Sequence, residues 1–177
     1  YQLYCWAMSQ KIITLEESEA THKAFFKRYP MLLTWHAAYV EWTQEHLSIR
    51  SPLGRVRHLE NINHFDNRLR SEAERQAINS PVQATLSDLV LIALSRMHTE
   101  YSIGGDWPLA FKPFLMTHDS IGAYVLEEYA PEWAQYVRTV MEDQTFLTTE
   151  FGWTPQIPFP VDLKLGPNLA QLEKLVL

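Results

Sequence analysis

With 177 residues, 46% of them hydrophobic and 20% charged, the chain has the length and composition of one globular domain with a core, or of parts of two subdomains. A net charge of −6 argues against indiscriminate nucleic-acid binding, and a single cysteine, Cys5, excludes an internal disulfide and a Cys-cluster zinc site. No apolar run approaches the roughly 20 residues of a membrane span, so no membrane partner is expected, and the lone cysteine fits an intracellular setting.

The charge is uneven. From Arg50 to Arg75 there are six arginines against four acidic residues, whereas residues 76–177 carry five basic and twelve acidic ones. A basic segment on an acidic body can grip a backbone in one groove, or it can be a solvated face.

In chain order, Tyr1-Gln2-Leu3-Tyr4-Cys5-Trp6-Ala7-Met8 already reads as the inside of a helix, as expected of a piece of something longer. Thr14-Leu15-Glu16-Glu17 has the form of a capping box, and the helix it starts should stop near Tyr29. Pro30 suits the first turn of a second helix through Leu33, Trp35, Ala38, Tyr39 and Trp42, whose helical spacing marks packing more than base stacking.

Pro52 and Gly54 then punctuate a turn between extended residues. Alternation sets Arg55 and Arg57 on one face, where each guanidinium could fork onto phosphate oxygens or simply keep a surface hairpin soluble. A polar helix is predicted from about Asp66 to Ile78. Asn79-Ser80-Pro81 is read as its break and as the start of another helix, with Ser80 as N-cap. Val82, Leu86, Leu89, Val90, Ile92, Ala93 and Leu94 should bury most of that second helix as the spine of the core.

Residues Tyr101 to Pro108 read as a loop. Phe111 to Val125 is an apolar run, a polar tip of His118-Asp119-Ser120, and a second apolar run, which predicts two short strands. Such a tip is either a plain surface turn or a rigid mount for a carboxylate that binds a divalent cation. Pro131 opens an amphipathic helix, residues 157–166 suggest an edge strand, and a short terminal helix is expected from Pro167 to Leu175.

Taken together, these stretches resemble, in order, the C-terminal part of a family A (DNA polymerase I type) DNA polymerase, phage-like. Glu16-Glu17 through Phe26-Lys27-Arg28-Tyr29-Pro30 is similar to the fingers helix and its "RYP" stop, and Ser51 through Arg57 to the "T-x-x-G-R-x-R" hairpin. Glu74-Arg75 through Asn79-Ser80-Pro81-Val82-Gln83-Ala84-Thr85 resembles "E-R-x-A-x-N-x-P-x-Q-G-T", with Ala84 in place of Gly. Thr117-His118-Asp119-Ser120 resembles "V-H-D-E", with Ser120 in place of Glu, and Leu165 through Leu169 the phage-type end "G-x-N-W".

The resemblance implies an α+β fold, with residues 1–70 as the C-terminal part of the fingers and 71–177 as a palm whose small antiparallel sheet is backed by helices. It implies template-directed transfer of a deoxynucleotide to a primer 3′-hydroxyl by a two-metal mechanism with Mg²⁺, placing the enzyme in the host cytoplasm if viral. Asp119 would be the metal carboxylate and His118 a catalytic residue near the primer terminus. Arg55 and Arg57, and Arg75, Asn79 and Gln83 at the minor groove, would contact primer–template DNA beside a dNTP. Gln83 can equally be the second half of a capping box with Ser80.

The family's "D-Y-S" motif and its Lys-bearing nucleotide helix do not occur in the sequence. The isolated chain is therefore expected to be inactive without an N-terminal part, on the same or a separate polypeptide. Two alternatives stay open: a non-catalytic nucleic-acid-binding or structural remnant, and part of a phage-type single-subunit RNA polymerase, which also has "H-D-S" at this place.

Overall fold

The computed structural model describes residues 14–101 and 111–175, so the readings of residues 1–8 as a helix and of the loop after Tyr101 lie outside the described residues. The elements run α1 (Leu15–Arg28), α2 (Pro30–His46), β1 (Ser48–Arg50), β2 (Val56–His58), a single tight turn at Glu60–Asn63, and α3 (Asn67–Tyr101). They continue with β3 (Phe111–Thr117), β4 (Ser120–Val125), α4 (Ala130–Glu142), α5 (Thr145–Phe151), β5 (Leu163–Leu165) and β6 (Glu173–Leu175). Among the described residues helices are mixed with three two-stranded sheets, β1–β2, β3–β4 and β5–β6, and the fold is α+β.

Two compact units divide the chain. Of the described residues, one takes those up to Ile49 and again His58–Ile78; the other takes Arg50–Arg57 and those from Asn79 onward.

In the first unit the predicted capping box is formed. Glu17 N–H donates to Thr14 Oγ1 (3.2 Å), and Thr14 N–H donates to Glu17 Oε2 (2.7 Å). Pro30 sits in the first turn of α2 as expected. The aromatics pair with one another, Trp35 with Tyr39 at 4.8 Å and Trp42 with His46 at 3.8 Å, but only Tyr39 reaches the core of Ile49, Leu59, Ile62, Ala73 and Ala77. Trp42 stays half exposed.

The second unit contains a different core: Ala93 and Met97 of α3, Phe111 of β3, and Trp133 and Val140 of α4, with Ile121, Ala123 and Val125 of β4 packed against it. The β3–β4 hairpin is therefore fastened to its helices along one face, as alternation requires. Its other face carries Phe114 stacked on Tyr124 at 4.3 Å, both open to solvent. Phe114 is the residue at which the register slips, between the pairs Pro113↔Ala123 and Leu115↔Gly122.

Three expectations are corrected. The helix does not break at Asn79-Ser80-Pro81, because α3 is one 35-residue helix with Pro81 inside it. A proline there removes one backbone bond and crowds the preceding turn. Helix-forming residues on both sides are anchored by burial, Ala73 and Ala77 before the proline and Ala93 and Met97 after it, and packing overrides the local signal. Ser80 is no N-cap; its Oγ is buried without a partner. Nor is most of the circumference buried, since Val82 and Leu91 are about half exposed. The second correction concerns length. A stretch of α3 is long and apolar enough, by composition alone, to cross a membrane.

Third, residues 173–175 form strand β6, antiparallel to β5 with Leu163 opposite Leu175, in place of a terminal helix. Asn168 Oδ1 accepts from Ala170 N–H at 3.0 Å and its carbonyl from Gln171 N–H at 3.1 Å, which turns the chain back. Gly166 permits that turn, since a Cβ there would lie 1.9 Å from the Gln171 carbonyl oxygen. Helix α5 was not foreseen. It buries Leu147 completely and ends on Gly152 at φ 64°, whose N–H bonds back to Leu147 and Thr148.

Asp143, between α4 and α5, accepts from the Thr145 hydroxyl (2.7 Å) and N–H (3.0 Å), and from Arg96 of α3 (2.7 Å). The Thr145 bonds first, and Arg96 after them, hold its carboxyl below the usual range. A depressed carboxyl contributes stability that is complete above the unfolded value near pH ~3.9 and is lost as pH falls through the folded value. Acid titration of the thermal midpoint should therefore fall less steeply below about pH 4 in Asp143→Asn than in the parent chain.

Candidate metal and nucleic-acid site

The tip of the β3–β4 hairpin is built by two residues, His118 and Asp119, between the terminal pair Thr117↔Ser120. His118 takes the left-handed backbone at φ 53°, which costs an L-residue roughly 1–2 kcal/mol. Outliers of this kind cluster at functional sites. Ser120 Oγ donates to the Thr117 carbonyl at 2.9 Å and closes the turn, so the residue standing where the motif has Glu serves the backbone. Asp119 is exposed and has no hydrogen-bond or ion-pair partner among the described residues.

One free carboxylate on a fixed hairpin suits a hard divalent cation as one of its oxygen ligands. It does not complete a site: among the described residues no three His, Cys, Asp or Glu side chains come together.

The unbroken course of α3 has a consequence for the groove residues. Arg75, Asn79 and Gln83 are all exposed, and Asn79 and Gln83, four residues apart on this helix, stand about 6 Å apart on one side of it. A break at Asn79 would have scattered them. The side opposite is the buried one, with Ala73, Ala77 and Asp88. Gln83 carries no capping bond, because no helix starts at Ser80.

The turn between β1 and β2 is held from several directions. Ser51 N–H donates to the Arg55 carbonyl (2.9 Å), Gly54 N–H to the Ser51 carbonyl (2.9 Å) and Arg55 N–H to Ser51 Oγ (3.1 Å). Gly54 has φ 90°, which favours glycine. Arg50 Nη1 donates to the Gly54 carbonyl at 3.2 Å. Arg57 is exposed but engaged.

Arg55 is committed to an ion pair. Its Nε donates to Asp88 Oδ1 (2.9 Å) and Oδ2 (3.1 Å), and its Nη2 donates to Oδ1. Those hydrogen bonds, and then the charge of Asp88, raise the guanidinium further above its already high value. The two ends differ in exposure, 52% for the Arg55 side chain and 12% for Asp88.

Asp88 was missed as a functional candidate. Its signal was visible: it is the sole charged residue between Arg75 and Arg96, and a charge sunk in an apolar helix needs a partner. What the sequence could not name is the partner, 33 residues away.

Of the seven residues singled out in the sequence, Arg55, Arg57, Asn79, Gln83, His118 and Asp119 fall in the second compact unit, and Arg75 in the first.

Comparison with known proteins decides the family. The profile of DNA polymerase family A matches residues 1–171. The chain belongs to DNA polymerase family A.

Among its family A relatives, a DNA polymerase of Bacillus phage SP01 is 27% identical over 153 residues, covering 86% of this chain and 16% of that protein. The thermostable DNA polymerase I of Thermus filiformis is 28% identical over 175 residues, covering 98% of this chain and 19% of that protein. The chain thus spans less than a fifth of the length of these relatives. The POL domain of Pol1 from M. smegmatis, in complex with DNA primer-template and dNTP, superposes with a TM-score of 0.68 at 24% identity. That superposition covers 88% of this chain and 25% of the other, and it bears on the fold.

Proposed function

We propose that this family A chain is the end of the fingers and most of the palm of a template-directed DNA polymerase, acting inside the cell, in the host cytoplasm if viral. The observation that carries the reading is the exposed, unpartnered Asp119 on a hairpin fastened to a helical core, within a match to the family over residues 1–171. In this reading Asp119 offers one carboxylate to the metal site. Two divalent cations, Mg²⁺ by preference, held in part by Asp119, would supply charge neutralisation for an in-line nucleotidyl transfer.

The chain's other residues bind and orient. His118, set beside Asp119 by its left-handed backbone, faces the primer terminus. Asn79 and Gln83 offer amides to minor-groove acceptors, which lie at similar places in every base pair, so they test pair shape without reading sequence. Arg75 adds a cation at the same groove, and the Arg55–Arg57 hairpin holds the duplex. The residues that bind the dNTP and the remaining metal ligands would come from an N-terminal part of the polymerase, on the same or a separate polypeptide.

Primer extension tests this directly. The 177-residue chain alone should not extend a primer, and the chain combined with the upstream part of a family A polymerase domain should do so with Mg²⁺. Duplex binding without extension, unaffected by Asp119→Ala, would instead establish the non-catalytic binding remnant.

A further inference from the structure

The bidentate clasp of Arg55 by Asp88 alters what this arginine can offer to a nucleic acid. A guanidinium has five N–H donors in a planar fork. Asp88 takes the Nε edge of Arg55 with both carboxylate oxygens and engages Nη2 as well. Nη1 is left without a partner among the described residues, on a side chain that is half exposed. The carboxylate lies on the buried side, the free edge on the open side, and the hydrogen-bonded turn at Ser51 and Gly54 fixes the backbone from which Arg55 projects.

Two consequences follow. The clasp orients the fork, because Asp88 is mounted on helix α3. The pair is also electrically balanced, so it attracts a phosphate far less than a free arginine does and displaces few counterions on contact.

We propose that Asp88 is a positioning residue for duplex binding: it takes one edge and the net charge of Arg55, so that Arg55 meets the nucleic acid as an oriented donor to an uncharged acceptor, a sugar or base-edge oxygen or nitrogen. The inference rests on the reading that this surface engages primer–template DNA. It differs from the simple expectation for a "G-R-x-R" hairpin, in which Arg55 grips phosphate as a mobile cation.

Salt titration of primer–template binding by the 177-residue chain, followed by fluorescence anisotropy, separates the two. Arg55→Lys keeps the charge balance but loses the fork, so affinity should fall about tenfold, the loss expected for one charge-assisted hydrogen bond, with the salt slope unchanged. Asp88→Asn releases one positive charge and should steepen the slope of log K against log salt by about 0.9. The double variant Arg55→Gln/Asp88→Asn, balanced again, should return to the parent slope with reduced affinity.

Full affinity in Arg55→Lys, or an unchanged slope in a folded Asp88→Asn, overturns the proposal while leaving the functional reading intact. A parent chain that binds no duplex at any salt concentration overturns both. If Asp88→Asn does not fold in a thermal melt, the exposed Arg55→Lys decides alone.

Discussion

Asp119→Ala is expected to abolish primer extension in the reconstituted polymerase, lowering the single-turnover rate by about 10³-fold or more, the scale of losing one preorganised electrostatic partner of the transition state. Duplex affinity should hardly move, because the side chain is exposed, has no hydrogen-bond or ion-pair partner among the described residues, and carries a charge that does not favour DNA. The expected signature is therefore a collapse in rate at nearly constant Kd, measured by rapid-quench extension beside anisotropy binding. Asp119→Asn should behave almost as badly, since it keeps the shape and loses the charge that a divalent cation requires. Activity retained in the alanine variant would remove Asp119 from the metal site and with it the polymerase reading of the hairpin.

The second large effect is on stability. Trp133 of α4 stacks on Phe111 of β3 with ring centroids 4.5 Å apart and planes within 8°. It meets Tyr136 edge-on at 5.4 Å and is buried. Trp133→Ala should cost about 3–5 kcal/mol, because transfer energy is lost and the cavity lies between hairpin and helix where neither can close it. Against a typical domain stability of roughly 5–15 kcal/mol this is severe. Trp133→Phe should recover much of the loss.

Tyr124→Ala, on the exposed face of the same hairpin, removes only the stack on Phe114 and should cost about 0.5–1.5 kcal/mol. Urea unfolding of the three variants ranks them. Equal losses for Trp133 and Tyr124 would mean that the hairpin is not fastened through its Phe111 face.

Local signals were legible where the chemistry is local. The Thr14–Glu17 box, the proline starts at Pro30 and Pro131, and the alternation around His118-Asp119 all state their structure within a few residues, and all are formed. Two local signals misled. Pro81 looked like a helix start and lies inside a helix; Pro167 looked like another and leads into a turn and a strand. In both, a proline's fixed φ suits more than one structure, and the choice between them fell to distant partners: buried alanines on either side of Pro81, and Leu163–Leu165 opposite Glu173–Leu175.

The sequence by itself determined the family and the carriers of its motifs, because spacing such as Asn79-x-Pro81-x-Gln83 and the pair His118-Asp119 is written in consecutive residues. Only the tertiary structure decided which charges are committed. In the sequence Arg55 is one more arginine of a surface hairpin, yet it is clasped by an aspartate 33 residues away. Asp88 and Asp119 are both lone acids flanked by uncharged residues, yet one is buried against a guanidinium and the other stands open at a hairpin tip. The physical reason is the reach of the interactions: a turn or a cap is settled by neighbours in the chain, whereas burial of a charge is settled by whatever the fold brings to it.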